Sequence, residues 1–403
     1  MNHETKVRKT EKAVLDNYTI SSPSFIDLNS ENFYNHLSKR HSLFQYKLNL
    51  PTKVFNNATL LDFGAGTGEQ DICYAKWGAQ VDLVEINPIS VERIKKYFKS
   101  LNLEHNLNEI FEGSIFDFKT EKKYDIVVSE GVLHHTDDPY LGFKILVDKL
   151  KPNGFVMLQL GFDSSMLQRS LHRLILDILT KGDYSLILEY SPILFKNTLE
   201  RASMHGGRSI EQIVHDFYTN PKHKAIGLID VLDWFKESNI TYYSSYPSIE
   251  IENLINGIHK NGGGELISKY PQLRAFSELY FMIASNDDEI LFEDLNSEIH
   301  TVNKNFDELI KYHKLDDYVY GANINPCKEK FINYFESYKK LSNMRHQNLI
   351  DKIEVFSKEV LALIDACERG NVQEVSYVVD KFDILFKGYN GVPSNFIVGY
   401  KEK

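Results

Sequence analysis

Cysteine is scarce. The three in 403 residues, Cys73, Cys327 and Cys367, lie far apart, so neither a disulfide framework nor a metal site with spaced ligands is expected, in keeping with a reducing compartment. Long apolar runs are missing too: no stretch approaches the roughly 18 residues of a membrane span. The opening MNHETKVRKTEKAV is polar and charged where a signal peptide carries an apolar core. A cytoplasmic chain without membrane contact is the expectation. Basic charge is also short. Lys and Arg number 46 against 56 Asp and Glu, a formal net charge of -10, which disfavours extended contact with nucleic acid because neutralising phosphates needs a basic surface. Paired cysteines, an HExxH and an Asp-rich loop are all absent, so no metal is expected.

What remains is the composition of a globular protein, 42% hydrophobic and 25% charged, in a chain longer than one core usually serves. Residues 1–50 read as a helical cap with a helix over Asn32 to Leu48. After Pro51 a strand-helix alternation begins. Short, nearly continuous apolar runs predict strands at Thr59–Phe63, Gln80–Ile86, Glu109–Gly113, Asp125–Ser129 and Phe155–Leu160, as parallel strands covered on both faces should look. Helices are expected at about 69–77, 89–101 and 138–150, the first closed by Gly78 and the third opened by Asp138 and Pro139. Lys151 to Gly154 reads as a turn launching the fifth strand. Residues 163–225 interrupt the alternation with a mostly helical stretch, an insertion. A helix and strand resume with IGLIDVLDWFKESN and ITYYSSYPSI, SELYFMIASND reads as a last strand, and 291–403 are mainly helical with one further strand at SNFIVGYKE. The sheet domain therefore takes 51–162 and 226–290, in an α/β doubly wound arrangement.

The segment LLDFGAGTGEQ carries the sharpest signal. A dinucleotide turn needs Gly-x-Gly-x-x-Gly, yet Gly64, Gly66 and Gly68 stand at Gly-x-Gly-x-Gly, with Glu69 where the third dinucleotide glycine belongs. A carboxylate opening this helix opposes a pyrophosphate. A cofactor without phosphate removes the conflict, and Glu85, 21 residues beyond Gly64 at the end of the next strand, can accept hydrogen bonds from both hydroxyls of a ribose.

At these residues the chain resembles the class I S-adenosylmethionine-dependent methyltransferases, through LLDFGAGTG, VDLVEINP, FEGSIFDF, YDIVVSEGVLHH and LKPNGFVML over about 58–162, and more loosely over 226–285. The resemblance implies a Rossmann-like sheet of seven strands, the last antiparallel, with S-adenosyl-L-methionine across the carboxyl ends of the first strands. It implies that Asp62 and the turn Gly64, Ala65, Gly66 and Gly68 face the methionine part, that Glu85 holds the ribose, and that Ile86 packs near the adenine with Asn87 in the same site. Ser114 and Ile115 match positions that meet the adenine edge; an aspartate is common where Ser114 stands, so Asp117 could supply that contact. Glu130 would lie near the reacting end. The stretch from Val214 to Ile249 looks like a narrower bacterial group with a helical insertion after the fifth strand.

Methyl transfer is an in-line displacement, so such an enzyme mainly aligns the reactants and excludes water. A base is needed only where the acceptor loses a proton. Candidates are His134 and His135 after the fourth strand and His205, His215, Tyr218 and His223 in the insertion, although His135 can equally bond local backbone and the insertion residues can be a polar helix end. Arg40 and His41 could reach the cofactor carboxylate, or belong to a solvated helix face. The leading expectation is an enzyme methylating oxygen or nitrogen of a soluble small molecule. The helical tail of about 110 residues suits a peptide or protein acceptor, a homodimer, or a non-catalytic partner that keeps the cofactor.

Overall fold

A computed structural model of the chain describes residues 3–20, 30–206, 208–222, 224, 226–249, 274, 278, 283, 299–313, 324–340, 347–387 and 395–403. Seven strands form one sheet: β1 (Thr59–Phe63), β2 (Gln80–Glu85), β3 (Leu107–Glu112), β4 (Tyr124–Glu130), β5 (Leu150–Leu160), β6 (Ile240–Tyr246) and β7 (Asn395–Lys401). Their order is β3-β2-β1-β4-β5-β7-β6, parallel except that β7 runs antiparallel to both of its neighbours. This is the expected Rossmann-like α/β sheet. The order reverses between β1 and β4, and the crevice at the carboxyl ends of such strands is where ligands bind in open α/β sheets.

Alternation along the strands explains the layers. Leu61 and Phe63 of β1 join a core with α5 (Pro139–Asp148) and α10 (Leu228–Glu237), while Leu60 points to the opposite core with α3 (Glu69–Lys76), α4 (Pro88–Ser100) and the segment around Phe44 and Phe55. The caps read from sequence are present: the Asp138 side chain accepts the Leu141 N–H at 2.9 Å with Pro139 in the first turn. Lys151 to Gly154 is no separate turn. It is a bulge inside β5, where Asn153 takes φ 62° and the pairing with β4 slips between Tyr124 and Ile126.

The end of the sheet differs more. The seventh strand is the chain terminus, β7, wedged between β5 and β6, so the helical tail leaves the sheet and returns to it. A Cβ at Gly399 would stand 2.3 Å from Ile240 and 2.7 Å from Phe235, so glycine lets α10 settle on this strand. Within SELYFMIASND, expected as a strand, the two described residues Glu278 and Ile283 are helical, and the others lie outside the described residues. A short apolar run reads alike as strand or buried helix, and only tertiary context separates them.

Two helices precede the sheet, α1 (His3–Ile20) and α2 (Ser30–Ser42), the second continuing as a π turn through Lys47. The insertion folds as α6 (Leu167–Thr180), α7 (Tyr184–Leu194), α8 (Lys196–Gly206) and α9 (Ile210–Tyr218). The tail contributes α11 (Ile299–His313), α12 (Ile324–Lys339), α13 (Gln347–Glu368) and α14 (Val372–Asp380). Insertion and tail share one core that runs from Leu167 and Tyr218 to Phe331, Phe356 and Phe386. Among the described residues no helix is long and apolar enough to cross a membrane.

Candidate active site

The turn after β1 is built around glycine. At Gly64, φ is +85° and a Cβ would lie 2.3 Å from the Val132 side chain, so any other residue is both strained and blocked. Gly68 caps α3 at φ +84°. Glu69, the first residue of α3, is buried and takes the Thr67 hydroxyl at 2.6 Å on each carboxylate oxygen. At the tip of β2 the Glu85 carboxylate accepts the N–H of Gly66 at 2.7 Å and of Asn87 at 2.8 Å. Burial nevertheless pushes its pKa up to about 7. Asp62, one residue before the end of β1, and Asp71 in the first turn of α3 are buried together, and burial raises both carboxyls. The two carboxyls are hydrogen-bonded to each other, which raises Asp62 further and lowers Asp71.

Arg40 proves to be no solvated residue. It is 6% exposed and grips Glu130 with two 2.7 Å bonds, while Nη2 also reaches the Tyr74 oxygen at 2.6 Å. Its guanidinium lies 4.9 Å from the Phe44 ring centroid. Periodicity leaves its face of α2 polar, and the carboxylate that draws it inward is 90 residues away. His41 turns instead toward the exposed Tyr46 ring.

One cavity of about 590 Å³ adjoins these groups. Of the residues expected at a cofactor, Asp62, Gly64, Ala65, Gly66, Glu85, Ile86, Asn87, Ser114, Ile115 and Glu130 all line it, and Gly68 stands behind the turn. Ser114 donates its hydroxyl to Glu11 of α1. Asp117 does not line the cavity; Arg8 holds it with bonds of 2.5 and 2.6 Å.

The cavity continues past His134 and His135 under α1 and the insertion. His135 Nδ1 sits 2.7 Å from the Lys222 carbonyl oxygen, which makes Nδ1 the protonated nitrogen, and Nε2 faces the Tyr18 hydroxyl at 3.5 Å. Burial lowers the pKa of this imidazole and lowers that of His134 further. Tyr18 donates to Asp216 at 3.1 Å and accepts the Asn220 amide at 2.8 Å. Asp216 is also paired with Arg208 at 2.9 Å. Arg169 lies 3.7 Å from the Phe217 ring centroid.

His215 and Tyr218, expected near the chemistry, do not line this cavity. Tyr218 belongs with Ile213 and Val214 to the buried stripe of α9, its hydroxyl 3.0 Å from His172 Nδ1. His215 meets Tyr184 edge-on. The segment was right and the face wrong. Asp216 and Phe217 are the cavity residues, and the Ser209–Gln212 capping box, legible as S-x-x-Q, sets the start from which that phase follows. His223 and the side chain of His205 lie outside the described residues.

Residues 34–217 match the family described as "Methyltransferase domain". That match takes in a little under half of the chain. Two curated proteins are similar to parts of it. The mitochondrial ubiquinone biosynthesis O-methyltransferase of Schizosaccharomyces pombe is 28% identical over 124 residues, 29% of this chain and 45% of that protein. The release factor glutamine methyltransferase of Shewanella oneidensis is 26% identical over 153 residues, 32% of this chain and 53% of that one. The chain thus spans about half the length of the curated relatives it matches. Among solved structures, the N-methyltransferase NodS from Bradyrhizobium japonicum with S-adenosyl-L-homocysteine is 17% identical at a TM-score of 0.29, covering 40% of this chain and 76% of that one. The methyltransferase domain match ends at Tyr218's neighbour Phe217, so it takes in the glycine turn, Glu85, both histidines and most of the insertion.

Proposed function

We propose that the protein transfers a methyl group from S-adenosyl-L-methionine to an oxygen or nitrogen of a small soluble acceptor. The observation that carries this reading is the continuous cavity that joins the glycine turn and Glu85 to the group His135, Tyr18 and Asp216.

The residues suit the donor. Glu69 and Glu85 line the sheet end beside Asp62 and the Arg40-paired Glu130, carboxyl groups that suit an ammonium and a sulfonium and oppose a pyrophosphate. Glu85 uses one contact per oxygen on backbone N–H groups and keeps lone pairs for two ribose hydroxyls. When bound, the donor supplies an electrophilic methyl on sulfur. At the other end His135, kept neutral by burial and oriented by the Lys222 carbonyl, takes the proton of the acceptor at Nε2, and Asp216 offsets the charge that develops on the ring. Tyr18 orders this corner through Asp216 and Asn220.

A small acceptor is favoured over a polypeptide because α1 and the insertion roof the cavity and the apolar faces of the tail helices are spent on the insertion core. Incubating the protein with methyl-labelled donor and a fractionated cell extract tests this. Label is expected in the low-mass fraction; label confined to polypeptide would contradict it.

A further inference from the structure

Within the insertion, cations and anions are unequally matched. The lining residues it supplies include two guanidinia, Arg169 and Arg208, and one carboxylate, Asp216. Arg208 is paired with that carboxylate, which the Tyr18 hydroxyl also engages. Arg173, one turn along α6, gives its Nη2 to the Asn220 carbonyl at 2.8 Å. Arg169 has neither use. It lines the cavity, it is half-buried, and among the described residues it stacks on the Phe217 ring. A guanidinium drawn from water without a hydrogen-bonding carboxylate is costly; burial lowers its pKa, against the raising effect of the Asp216 charge. Such a group is retained where a ligand completes it.

We infer that Arg169 is the anchor for a carboxylate on the methyl acceptor, which is therefore a small organic acid methylated at another atom. The inference rests on the methyltransferase reading above. Charge selects the class. Among the described lining residues the insertion end sets two guanidinia against one carboxylate, an excess of one positive charge, which matches a monoanion and underserves a phosphate dianion. Shape agrees, since a guanidinium fork pairs with a planar carboxylate through two parallel bonds. Phe217, Met166 and Ala202 supply apolar surface for the body of the acid. The acids at the sheet end repel this carboxylate and hold it at the Arg169 end, beside His135, whose protonation the Arg169 charge also opposes.

The test is calorimetry on the intact protein saturated with S-adenosylhomocysteine, titrated with benzoate, phenylacetate and hexanoate and with their neutral amides. At least one acid is expected to bind at least about tenfold more tightly than its amide. Arg169→Met should erase that preference and Arg169→Lys retain part of it, with S-adenosylhomocysteine affinity unchanged in both, which also shows that the variants fold. Equal binding of acids and amides, or no binding of any acid, overturns the inference, as does a tenfold loss of S-adenosylhomocysteine affinity in Arg169→Met, which would give the guanidinium to the donor. Failure of the wild-type protein to bind S-adenosylhomocysteine at all overturns instead the methyltransferase reading beneath it.

Discussion

At its sheet end the cavity is lined by Asp62, Glu69, Glu85 and Glu130, whereas the insertion end sets Arg169 and Arg208 against Asp216 alone. The two ends also differ in origin. The acidic end comes from the termini of adjacent strands and the turn that follows β1, positions dictated by the sheet itself. The other end comes from helices inserted after β5 and from α1, which the sheet does not require. One region is set by the sheet and, on the proposed reading, holds the donor; the other is built by added helices and, on that reading, holds the acceptor.

Separate perturbation of the two ends sharpens this contrast. The largest effect is expected at His135: His135→Asn should lower turnover by roughly 10²- to 10⁴-fold, the usual contribution of a general base, with S-adenosylhomocysteine affinity intact. Turnover within threefold of wild type would remove the base from the account. Next is Arg40→Met, which strands a buried Glu130 and should destabilise the fold by about 3–5 kcal/mol, measured by chemical denaturation; a change below about 1 kcal/mol would mean that water reaches Glu130.

Glu85→Ala should weaken S-adenosylhomocysteine by about a hundredfold, since two charge-assisted hydrogen bonds are lost, while the preference among acids survives. The same carboxylate gives a pH dependence. Its folded pKa is raised to about 7, and the ionised form is the better acceptor for ribose hydroxyls. Affinity should therefore climb as pH rises through about 7 and level off above it, by up to about tenfold per unit on the acid side. Its contribution to the stability of the ligand-free fold has the opposite sense: a raised carboxyl favours the folded state at low pH, and that advantage fades from the ordinary carboxylate range up to about 7. The smallest effect belongs to Asp117→Asn, which breaks an exposed ion pair with Arg8 and should cost less than about 1 kcal/mol. A large loss of donor affinity there would return Asp117 to the site.

Much of the acidic end was legible in the sequence. Strands buried on both faces are nearly all apolar, so β1 matches its expected bounds, and the spacing from Gly64 to Glu85 follows from the strand-helix-strand unit. The basic end was not. Arg169 was not singled out, because a lone arginine on an amphipathic helix shows no sign of what it faces. The helical cap expected over 1–50 is present, but α1 within it has no assigned bounds in that reading, although Val14, Leu15 and Tyr18, which line the cavity, recur at a helical interval. Arg40 with Glu130 and β7 with β5 join residues 90 or more positions apart, and no local pattern announces such pairs.

The central claim is that this turn and its acidic strand end serve a phosphate-free, cationic nucleoside donor. Calorimetric titration of the intact protein with S-adenosylhomocysteine, and separately with NADH, tests it most directly. One molecule of S-adenosylhomocysteine bound per chain and no heat with NADH is the predicted result; binding of NADH with none of S-adenosylhomocysteine would contradict it.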